Sequence, residues 1–347
     1  MKSLMSKVLI FFLSLSLGTS SLASNSDNNK DQNVGEGFNS VDMIMHHIAD
    51  SHEWHLWGEG ESSFTIPLPV ILYTNGHLDV FMSSKFHHGH SNVTKGNRVY
   101  SIDSHSHIKE LNGLPIIDLS ITKNAASLFI SLVLLLLIFG GVGRKSRNND
   151  GAPKGLASFI EPLVVFVRDD IVKPNIGKNY LKYLPYLLTL FFFILVNNLL
   201  GLLPGGANVT GNMAITLILA FITLVVTNIS GNKNYWSHIF KPPGVPLLLM
   251  PIMIPIEFVG IFTKPIALMI RLFANISAGH IVILSLLSLI FMAQSGLGTI
   301  GAYSIAPVSV IFVLFMYLIE CLVAFLQAYI FTLLTSLFIG LATTEHH

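Results

Sequence analysis

The sequence predicts an all-α polytopic membrane protein with five membrane-crossing helices, preceded by an exported α+β domain. Three observations favour this fold class. The 347 residues are 52% hydrophobic and 11% charged, whereas soluble domains are about 25% charged. Beyond residue 124 the chain contains apolar runs that are long enough to cross a bilayer. A short apolar segment with flanking lysines stands at the beginning of the chain.

The composition also excludes several classes of function. The formal net charge of +1 leaves no basic surplus for binding nucleic acid. The single cysteine, Cys321, excludes a disulfide framework and a cysteine-rich metal cluster. The sequence has no glycine-rich phosphate loop of the Walker type, so neither nucleotide chemistry nor a bound cofactor is expected in this chain.

Residues 1–23 are typical of a secretory signal peptide. Lys2 and Lys7 precede an apolar stretch of residues 8–17, and small residues lead to a cleavage site after Ala23. The apolar stretch is too short to span a bilayer. An uncleaved anchor is the alternative, and under either interpretation the residues that follow are exported.

Residues 24–120 are predicted to form a soluble domain on the external side. Acidic residues outnumber basic ones in this segment. Residues 64–82 predict a β-hairpin, because Asn75 and Gly76 suit the two positive-φ positions of a type I′ turn. Residues 41–57 are predicted to be helical, with Trp54 and Trp57 on one side.

Histidine is concentrated in this domain, which holds ten of the 14 in the chain. They are His46, His47, His52, His55, His77, His87, His88, His90, His105 and His107. On a helix, His52 and His55 would share one face and could belong to a metal site or a proton-collecting surface. The alternative is ordinary solvated or structural histidine, since no zincin-type motif or cysteine pair accompanies them.

Five apolar segments predict the membrane domain of residues 121–347. They are residues 125–143, 183–203, 213–229, 252–293 and 303–342. The last two are long, because a forty-residue helix measures about 60 Å against a hydrocarbon thickness of about 30 Å. They are therefore expected to be strongly tilted or broken, and residues 294–306 are expected to form the turn between them.

The distribution of positive charge predicts the orientation. Lysine and arginine cluster after the first segment and after the third, so these two connections are expected in the cytoplasm. The N-terminal domain is then periplasmic and the C-terminus is cytoplasmic. Residues 156–172 mix apolar with charged side chains and predict an amphipathic helix at the cytoplasmic interface, or a helix packed on protein.

Only five ionisable side chains occur within residues 252–342. They are Glu257, Lys264, Arg271, His280 and Glu320. A charged group at the centre of a membrane helix costs about 2.5 to 3.5 kcal/mol on insertion scales and is usually functional. The first three are seven residues apart and share a helix face with Asn275, while His280 lies about 180° around the helix from Arg271. Glu320 and Gln327 share a face of the last helix. We therefore predict proton movement in two offset steps, with pairing of these charges within the bundle as the alternative.

Several segments together resemble subunit a of F-type ATP synthases. The most characteristic is Arg271–Gly279 (RLFANISAG), preceded by Glu257 and by Lys264-Pro265. Residues 320–332 resemble the last helix of that family, and Asn198 with residues 201–205 resembles its hairpin between the middle spans. The resemblance covers about residues 120–345.

The resemblance implies a fold, a function and partners. Subunit a is the stator half of a membrane motor, packs against a rotating ring of subunit c, and is held by the subunit b peripheral stalk in the lipid bilayer. Two aqueous half-channels that open to opposite sides carry protons to the ring. The family thereby couples proton flow to rotation and ATP synthesis.

The resemblance also implies roles for single residues. Arg271 faces the ring carboxylates and separates the half-channels, with Asn275 and Gln327 as polar lining. His280 and Glu320 match the external half-channel, and Glu257 matches the cytoplasmic one. Where some members carry an acid in the middle hairpin, this chain has Gly201.

Two further hypotheses arise at this stage. The exported domain, which is acidic and rich in histidine, could collect protons or contact a stator neighbour near the external mouth. An ion-coupled secondary transporter is the alternative function, since such proteins also place charges at mid-membrane.

Overall fold

A computed structural model gives the fold of the chain. It describes residue 44 and residues 50–57, 64–89, 91–103, 107–148, 155–203, 205–240, 246 and 249–343. The predicted signal peptide of residues 1–23 lies outside the described residues, as do His46, His47, His90 and His105.

Short antiparallel strands dominate residues 50–118. They are β1 (Glu53–Trp57), β2 (Phe64–Pro67), β3 (Pro69–Thr74), β4 (His77–Met82), β5 (Val93–Lys95), β6 (Arg98–Ile102), β7 (Ile108–Glu110) and β8 (Ile116–Asp118). β1 pairs with β2, β3 lies between β4 and β8, and β6 lies between β5 and β7. A 3₁₀ helix, Ser83–Gly89, follows β4.

The predicted hairpin is confirmed over residues 69–82, whereas residues 64–67 form the separate strand β2. The helix predicted over residues 41–57 is wrong at its C-terminal end. β3 and β4 pair from Pro69 with Met82 to Thr74 with His77, and the φ angles at the turn are 46° at Asn75 and 83° at Gly76. Residues 53–57 instead form β1 and pair with β2, because polar and apolar side chains alternate over residues 53–56 as in a strand. Residues 41–43 and 45–49 lie outside the described residues.

The strands enclose a hydrophobic core of their own. Val70, Leu72, Phe86 and Tyr100 are completely buried, and the Tyr100 ring stacks on Phe81 at a centroid distance of 6.1 Å. At the edge of this core the Arg98 guanidinium donates two hydrogen bonds to the Asp79 carboxylate, at 2.8 and 3.0 Å. The Tyr100 hydroxyl donates a third, at 2.7 Å.

Helices form most of the remainder of the chain. They are α1 (Lys123–Asn148), α2 (Leu156–Phe166), α3 (Lys173–Ile176), α4 (Tyr180–Gly201), α5 (Met213–Ser230), α6 (Lys233–Phe240) and α7 (Met250–Thr343). By length and composition, four helical runs in the described part of the chain could cross a membrane: Lys123–Arg144, Leu156–Gly201, Met213–Ser230 and Met250–Thr343. Four of the five predicted apolar segments lie wholly within these runs, and the segment of residues 183–203 extends two residues beyond Gly201.

The connection within α7 differs from the prediction. Residues 294–306 were expected to form a turn, but they are helical except at Gly298, whose φ of 70° and ψ of −169° interrupt the helix. A positive φ is accessible to glycine because it has no Cβ. The Ser309 hydroxyl donates to the carbonyl of Leu286, so the helical limbs of residues 276–297 and 299–321 fold back antiparallel on either side of Gly298.

The C-terminal part of the segment predicted as an interfacial helix packs on α7. A π-helical stretch, Val167–Val172, joins α2 to α3, and Gly177 (φ 70°) ends the run before α4. The carbonyl of Asn175 approaches Gly340 so closely that a side chain at Gly340 would collide with it. The Ser336 hydroxyl also donates to Ile171 O at 3.4 Å.

The chain divides into two compact units. The first contains Met1–Phe129, Leu200–Ala214 and Ile276–Cys321, and the second contains Ile130–Leu199, Ile215–Asn275 and Leu322–His347. Each unit thus combines segments that are far apart in sequence. The candidate functional residues are described below within the unit to which each belongs.

Candidate functional site

In the first unit, His280 and Glu320 lie on the two facing limbs of α7. Glu320 is buried, with 4% of its surface exposed. Its carboxylate lies directly against the backbone of Gly279, where a Cβ would collide with it. Because Gly279 immediately precedes His280 in the sequence, the absence of a side chain there lets the carboxylate approach the limb that carries the imidazole.

His280 lines a cavity of about 230 Å³ within the same unit. The other lining residues are Ser51, His55, Lys123, Gly201, Leu202, Leu203, Gly205, Gly206, Asn208, Ile283, Leu284, Leu287 and Tyr317. A cavity of this size can hold several water molecules where polar groups are present to bind them. A Cβ on Gly201 would lie 3.8 Å from His280 Nε2. The loop between α4 and α5 therefore forms part of the wall next to the imidazole.

Both groups of this pair have an unsatisfied buried atom. His280 Nε2 and Glu320 Oε2 are buried and have no hydrogen-bond partner among the described residues. An unsatisfied buried polar atom costs about 1 to 3 kcal/mol, and a bound water, an ion or a catalytic role can account for it. Imidazole and carboxyl groups are the side chains best suited to taking up and releasing protons.

Arg271 has the opposite environment, within the second unit. Arg271 and Asn275 are exposed, and so are the small side chains of Ala267 and Ala274 on the same face of α7. Large apolar neighbours, Ile266 and Ile270, are also 44% and 50% exposed. The described residues provide no ion-pair partner for Arg271. The guanidinium therefore stands on an apolar surface of the chain.

Gln327 is buried in the second unit, with 3% of its surface exposed. One turn earlier, the Asn198 side-chain amide on α4 donates to the carbonyl of Ala324 at 3.2 Å. The Phe325 ring packs on Phe191 of α4 at 6.0 Å, and the Tyr329 ring packs on Phe166 of α2 at 5.8 Å. These contacts fix the rotation of this limb and hold Gln327 inside the unit.

Glu257 lies near the N-terminal end of α7, also in the second unit. Burial raises the pKa of the Tyr235 hydroxyl on α6, and the negative charge of Glu257 raises it further. The Tyr235 hydroxyl donates to Asn228 Oδ1 at 3.1 Å. Both residues line a second, smaller cavity of about 30 Å³ that also contacts Lys264. Tyr235 and Asn228 thus join the environment of Glu257 and Lys264.

The histidines of the N-terminal domain are not arranged as a helical face. His52 precedes β1 and is buried, with its Nε2 atom 2.9 Å from Asp118 Oδ2. His55 lies within β1 and contributes to the wall of the larger cavity. No group of three or more potential metal ligands is found in the part of the chain that the structure describes.

Sequence reasoning selected the six membrane residues but missed their surroundings. It did not identify Lys123, Tyr317, Tyr235 or Asn228, which line the two cavities. Nor did it bring His55 next to the segment that carries His280. The proximity of these residues to the ionisable residues depends on contacts between distant segments, so it is visible only in the folded chain.

Comparison with known proteins identifies the family. Residues 125–340 match the model of the ATP synthase A chain. The chain belongs to this family. Residues 43–126 match a separate model, a domain of unknown function (DUF8433). The two matches meet where the strands give way to α1.

Curated relatives carry the name ATP synthase subunit a. One from Chloroherpeton thalassium is 50% identical over 235 residues, which is 66% of this chain and 68% of the relative. One from Chlorobium phaeobacteroides (strain BS1) is 49% identical over 318 residues, 90% of this chain and 78% of the relative. A third, from an Anaeromyxobacter species (strain Fw109-5), is 40% identical over 320 residues, 88% and 71%.

Membership of the ATP synthase A chain family agrees with a polytopic membrane protein. It disfavours the alternative of an ion-coupled secondary transporter. It also indicates that the chain is not an enzyme by itself, because a subunit a is a membrane subunit of a complex.

Proposed function

We propose that the chain is the proton-translocating stator subunit of an ATP synthase, which works against a rotating ring of subunit c. One observation carries the proposal. A half-buried imidazole with a buried Nε2 atom lines a cavity and a buried carboxyl group lies against the facing limb of α7, whereas a guanidinium stands on an exposed apolar face. The first arrangement suits passage of a proton through the chain, and the second suits contact with a partner's carboxylate.

His280 and Glu320 form the external half-channel in this proposal. Water in the 230 Å³ cavity delivers a proton to the His280 imidazole. An imidazole takes up and releases protons near neutral pH, and the Glu320 carboxylate can accept the proton in turn. Leucine and isoleucine side chains form much of the remaining wall and restrict the path to the polar side.

Arg271 separates the two half-channels. A guanidinium stays protonated at any relevant pH, so it cannot relay a proton. It can attract an ionised carboxylate on the ring and lower the pKa of that carboxyl by about 1 to 3 units. A ring carboxyl group that approaches Arg271 therefore gives up its proton, and protons cannot pass directly between the half-channels.

The remaining predicted residues complete the path. Asn275, four residues after Arg271, and Gln327 on the other limb of α7 provide polar lining in the family pattern. Glu257, with Tyr235 and Asn228 in its surroundings, belongs to the cytoplasmic half-channel. The subunit b peripheral stalk is expected to hold the chain against the torque of the ring.

We infer a bacterial inner-membrane location with five crossings. The interruption at Gly298 divides α7 into two spans, which with α1, α4 and α5 gives five. The lysines and arginines after the first and third spans support cytoplasmic connections there. The N-terminal domain is then periplasmic, and the C-terminus is cytoplasmic.

The test is ATP-driven acidification of inverted membrane vesicles that contain the Arg271→Ala complex. Lys182→Ala on α4 is the matched control, because it removes an exposed cation of the same unit that lines neither cavity. We expect Arg271→Ala to abolish acidification and Lys182→Ala to retain most of it. Co-purification of the ring subunit checks that both variant complexes assemble.

Normal acidification by an assembled Arg271→Ala complex would overturn the proposal, since Arg271 would then be structural. Equal loss of acidification in both variants would also contradict the proposal, because the effect would then not be specific to position 271. The transmembrane potential supplies about 2.3 kcal/mol per proton at 100 mV. Several protons are needed per ATP, so even a partial leak past position 271 lowers the yield.

A further inference from the structure

The larger cavity of the first unit has a wall that the membrane helices do not supply. Ser51 and His55 come from the N-terminal domain, and Lys123 is the first residue of α1. Opposite groups come from the loop after α4 and from α7, including His280. The cavity next to His280 is thus built jointly by the N-terminal domain and the membrane segments of this unit.

The segment before β1 is fixed on the start of α1. The backbone N–H of Lys123 donates to Ser51 O at 2.9 Å, and that of Asn124 donates to Asp50 Oδ1 at 3.2 Å. These are N–H groups of the first helical turn, which have no partner within the helix. Burial raises the pKa of the Asp50 carboxyl, against the hydrogen bonds to it and the charge of Lys123.

Two further contacts fix the same segment from either side. His52 Nε2 lies 2.9 Å from Asp118 Oδ2 at the end of β8. The Trp54 indole N–H donates to Gly205 O, in the loop between α4 and α5, at 2.7 Å. The Trp54 bond joins residues that are 151 positions apart in the sequence. These contacts on either side therefore fix the position of His55 in the fold.

The chemistry of the wall suits protons better than other solutes. His55, Lys123, His280 and Tyr317 are titratable, and Ser51 and Asn208 are polar, while Ile283, Leu284 and Leu287 are apolar. A histidine can accept a proton from water on one side and release it to water on the other, with no net change in its own state. His55 on the domain and His280 on α7 line the same water-sized space.

We propose that the N-terminal domain is a functional part of the external proton path, in which His55 takes up protons at the mouth of the cavity that leads to His280. Trp54 acts as a positioning residue, because its bond to Gly205 holds the segment over the loop. This inference rests on the proposed function. It adds an external component that the membrane helices alone do not provide.

The first experiment replaces His55 in the complete ATP synthase complex and measures ATP-driven proton pumping in reconstituted vesicles. His77→Asn is the matched control for His55→Asn. Both histidines belong to the same domain, but His77 is exposed at the start of β4 and does not line the cavity. We expect His55→Asn to lower the pumping rate about threefold or more, less than loss of a group that transfers the proton in the chemical step. We expect His77→Asn to leave the rate unchanged.

The second experiment blocks the cavity chemically. In a Cys321→Ala background, His55→Cys and His77→Cys complexes are treated with the cationic thiol reagent methanethiosulfonate ethyltrimethylammonium before reconstitution. We expect the modified His55→Cys complex to lose most of its pumping and to recover it with dithiothreitol. The modified His77→Cys complex should pump as before. Adding Trp54→Phe removes the indole donor and should accelerate modification at position 55.

Several outcomes would overturn the inference. Complete modification of His55→Cys with unchanged pumping would show that protons bypass this wall. Absence of any modification would show that the cavity does not open to the outside, and equal losses at positions 55 and 77 would indicate a general effect on the domain. Arg271→Ala in the same preparation separates the two claims. If Arg271→Ala abolishes pumping but the modified His55→Cys complex pumps normally, the proposed function stands and only the role of the N-terminal domain fails.

Discussion

The long helix α7 carries its polar residues in two contrasting environments. His280 and Glu320 are enclosed by their own chain, with one buried atom each that has no partner among the described residues. Arg271 and Asn275 are exposed among small and apolar side chains. The same helix therefore has one pair of polar residues enclosed by the chain and the other pair on its surface.

This difference indicates which partner each pair serves. An unpaired polar atom inside a protein is tolerated where water, a proton or a catalytic step uses it. An exposed guanidinium on an apolar membrane surface is costly unless a protein partner covers it. We therefore assign the enclosed pair to a path within the chain and the exposed pair to the interface with the ring.

The largest expected effect concerns the enclosed pair. Gly279→Ala adds a methyl group where the Glu320 carboxylate lies, and Gly260→Ala adds one to the same helix with nothing within 4 Å. The carboxylate is at the end of a flexible side chain, so it moves while the fold persists. We expect Gly279→Ala to lower ATP-driven pumping by about tenfold or more and Gly260→Ala to leave it unchanged.

Equal pumping by the assembled Gly279→Ala and Gly260→Ala complexes would contradict a role for the position of Glu320. Loss of assembly in Gly279→Ala alone would also contradict this role, because Gly279 would then be needed for packing of the subunit. Ring co-purification distinguishes these results from the expected one.

A smaller effect is expected from the two amide side chains of α7, of which Gln327 is buried and Asn275 is exposed. Gln327→Ala removes a buried polar side chain, so we expect it to destabilise the subunit by about 1 to 3 kcal/mol. Asn275→Ala alters an exposed position and should change stability by less than about 0.5 kcal/mol, while pumping falls. Thermal unfolding of the detergent-solubilised complex measures the first quantity, and vesicle acidification measures the second. A larger loss of stability in Asn275→Ala would reverse the assignment of the two environments.

The smallest effect is expected in the N-terminal domain, where a charged pair is satisfied internally. Burial opposes ionisation of Asp79, but hydrogen bonds from Tyr100 and Arg98 hold the pKa of its carboxyl below the ordinary value. A lowered carboxyl pKa stabilises the fold above the unfolded value of about 3.9, and this stabilisation is lost as the pH falls through the folded pKa.

Asp79→Asn should therefore cost about 1 kcal/mol at neutral pH and progressively less below about pH 4. Hydrogen exchange of β3 and β4 in the complete complex, measured at neutral pH and again below about pH 4, checks the expectation. A difference between Asp79→Asn and the unaltered chain that grows on acidification would contradict it.

The sequence predicted local features well where the determining residues are neighbours. Asn75 and Gly76 specified the hairpin turn, and hydropathy located α1, α4 and α5 within a few residues. It failed over residues 53–57, because an alternation of four residues is too short to decide between a strand and a helix. Pairing with β2 decided the outcome.

The candidate site shows the same limit. Ionisable residues in apolar segments are visible in the sequence, so Arg271, His280 and Glu320 could be selected from it. The wall that brings His55 to the cavity depends on contacts such as Trp54 with Gly205, which are 151 residues apart. Such contacts follow from the whole fold, so no local pattern predicts them.

The central claim is that the Arg271 face of α7 is covered by the ring. Photo-cross-linking tests it most directly, with a benzophenone maleimide attached to Ala274→Cys in the Cys321→Ala background of an assembled, pumping complex. Ala274 is exposed beside Arg271 and Asn275, and Leu137→Cys on α1 is the control, since Leu137 is 69% exposed. We predict an adduct with the ring subunit from position 274 and none from position 137. Absence of a ring adduct from position 274 would contradict the account.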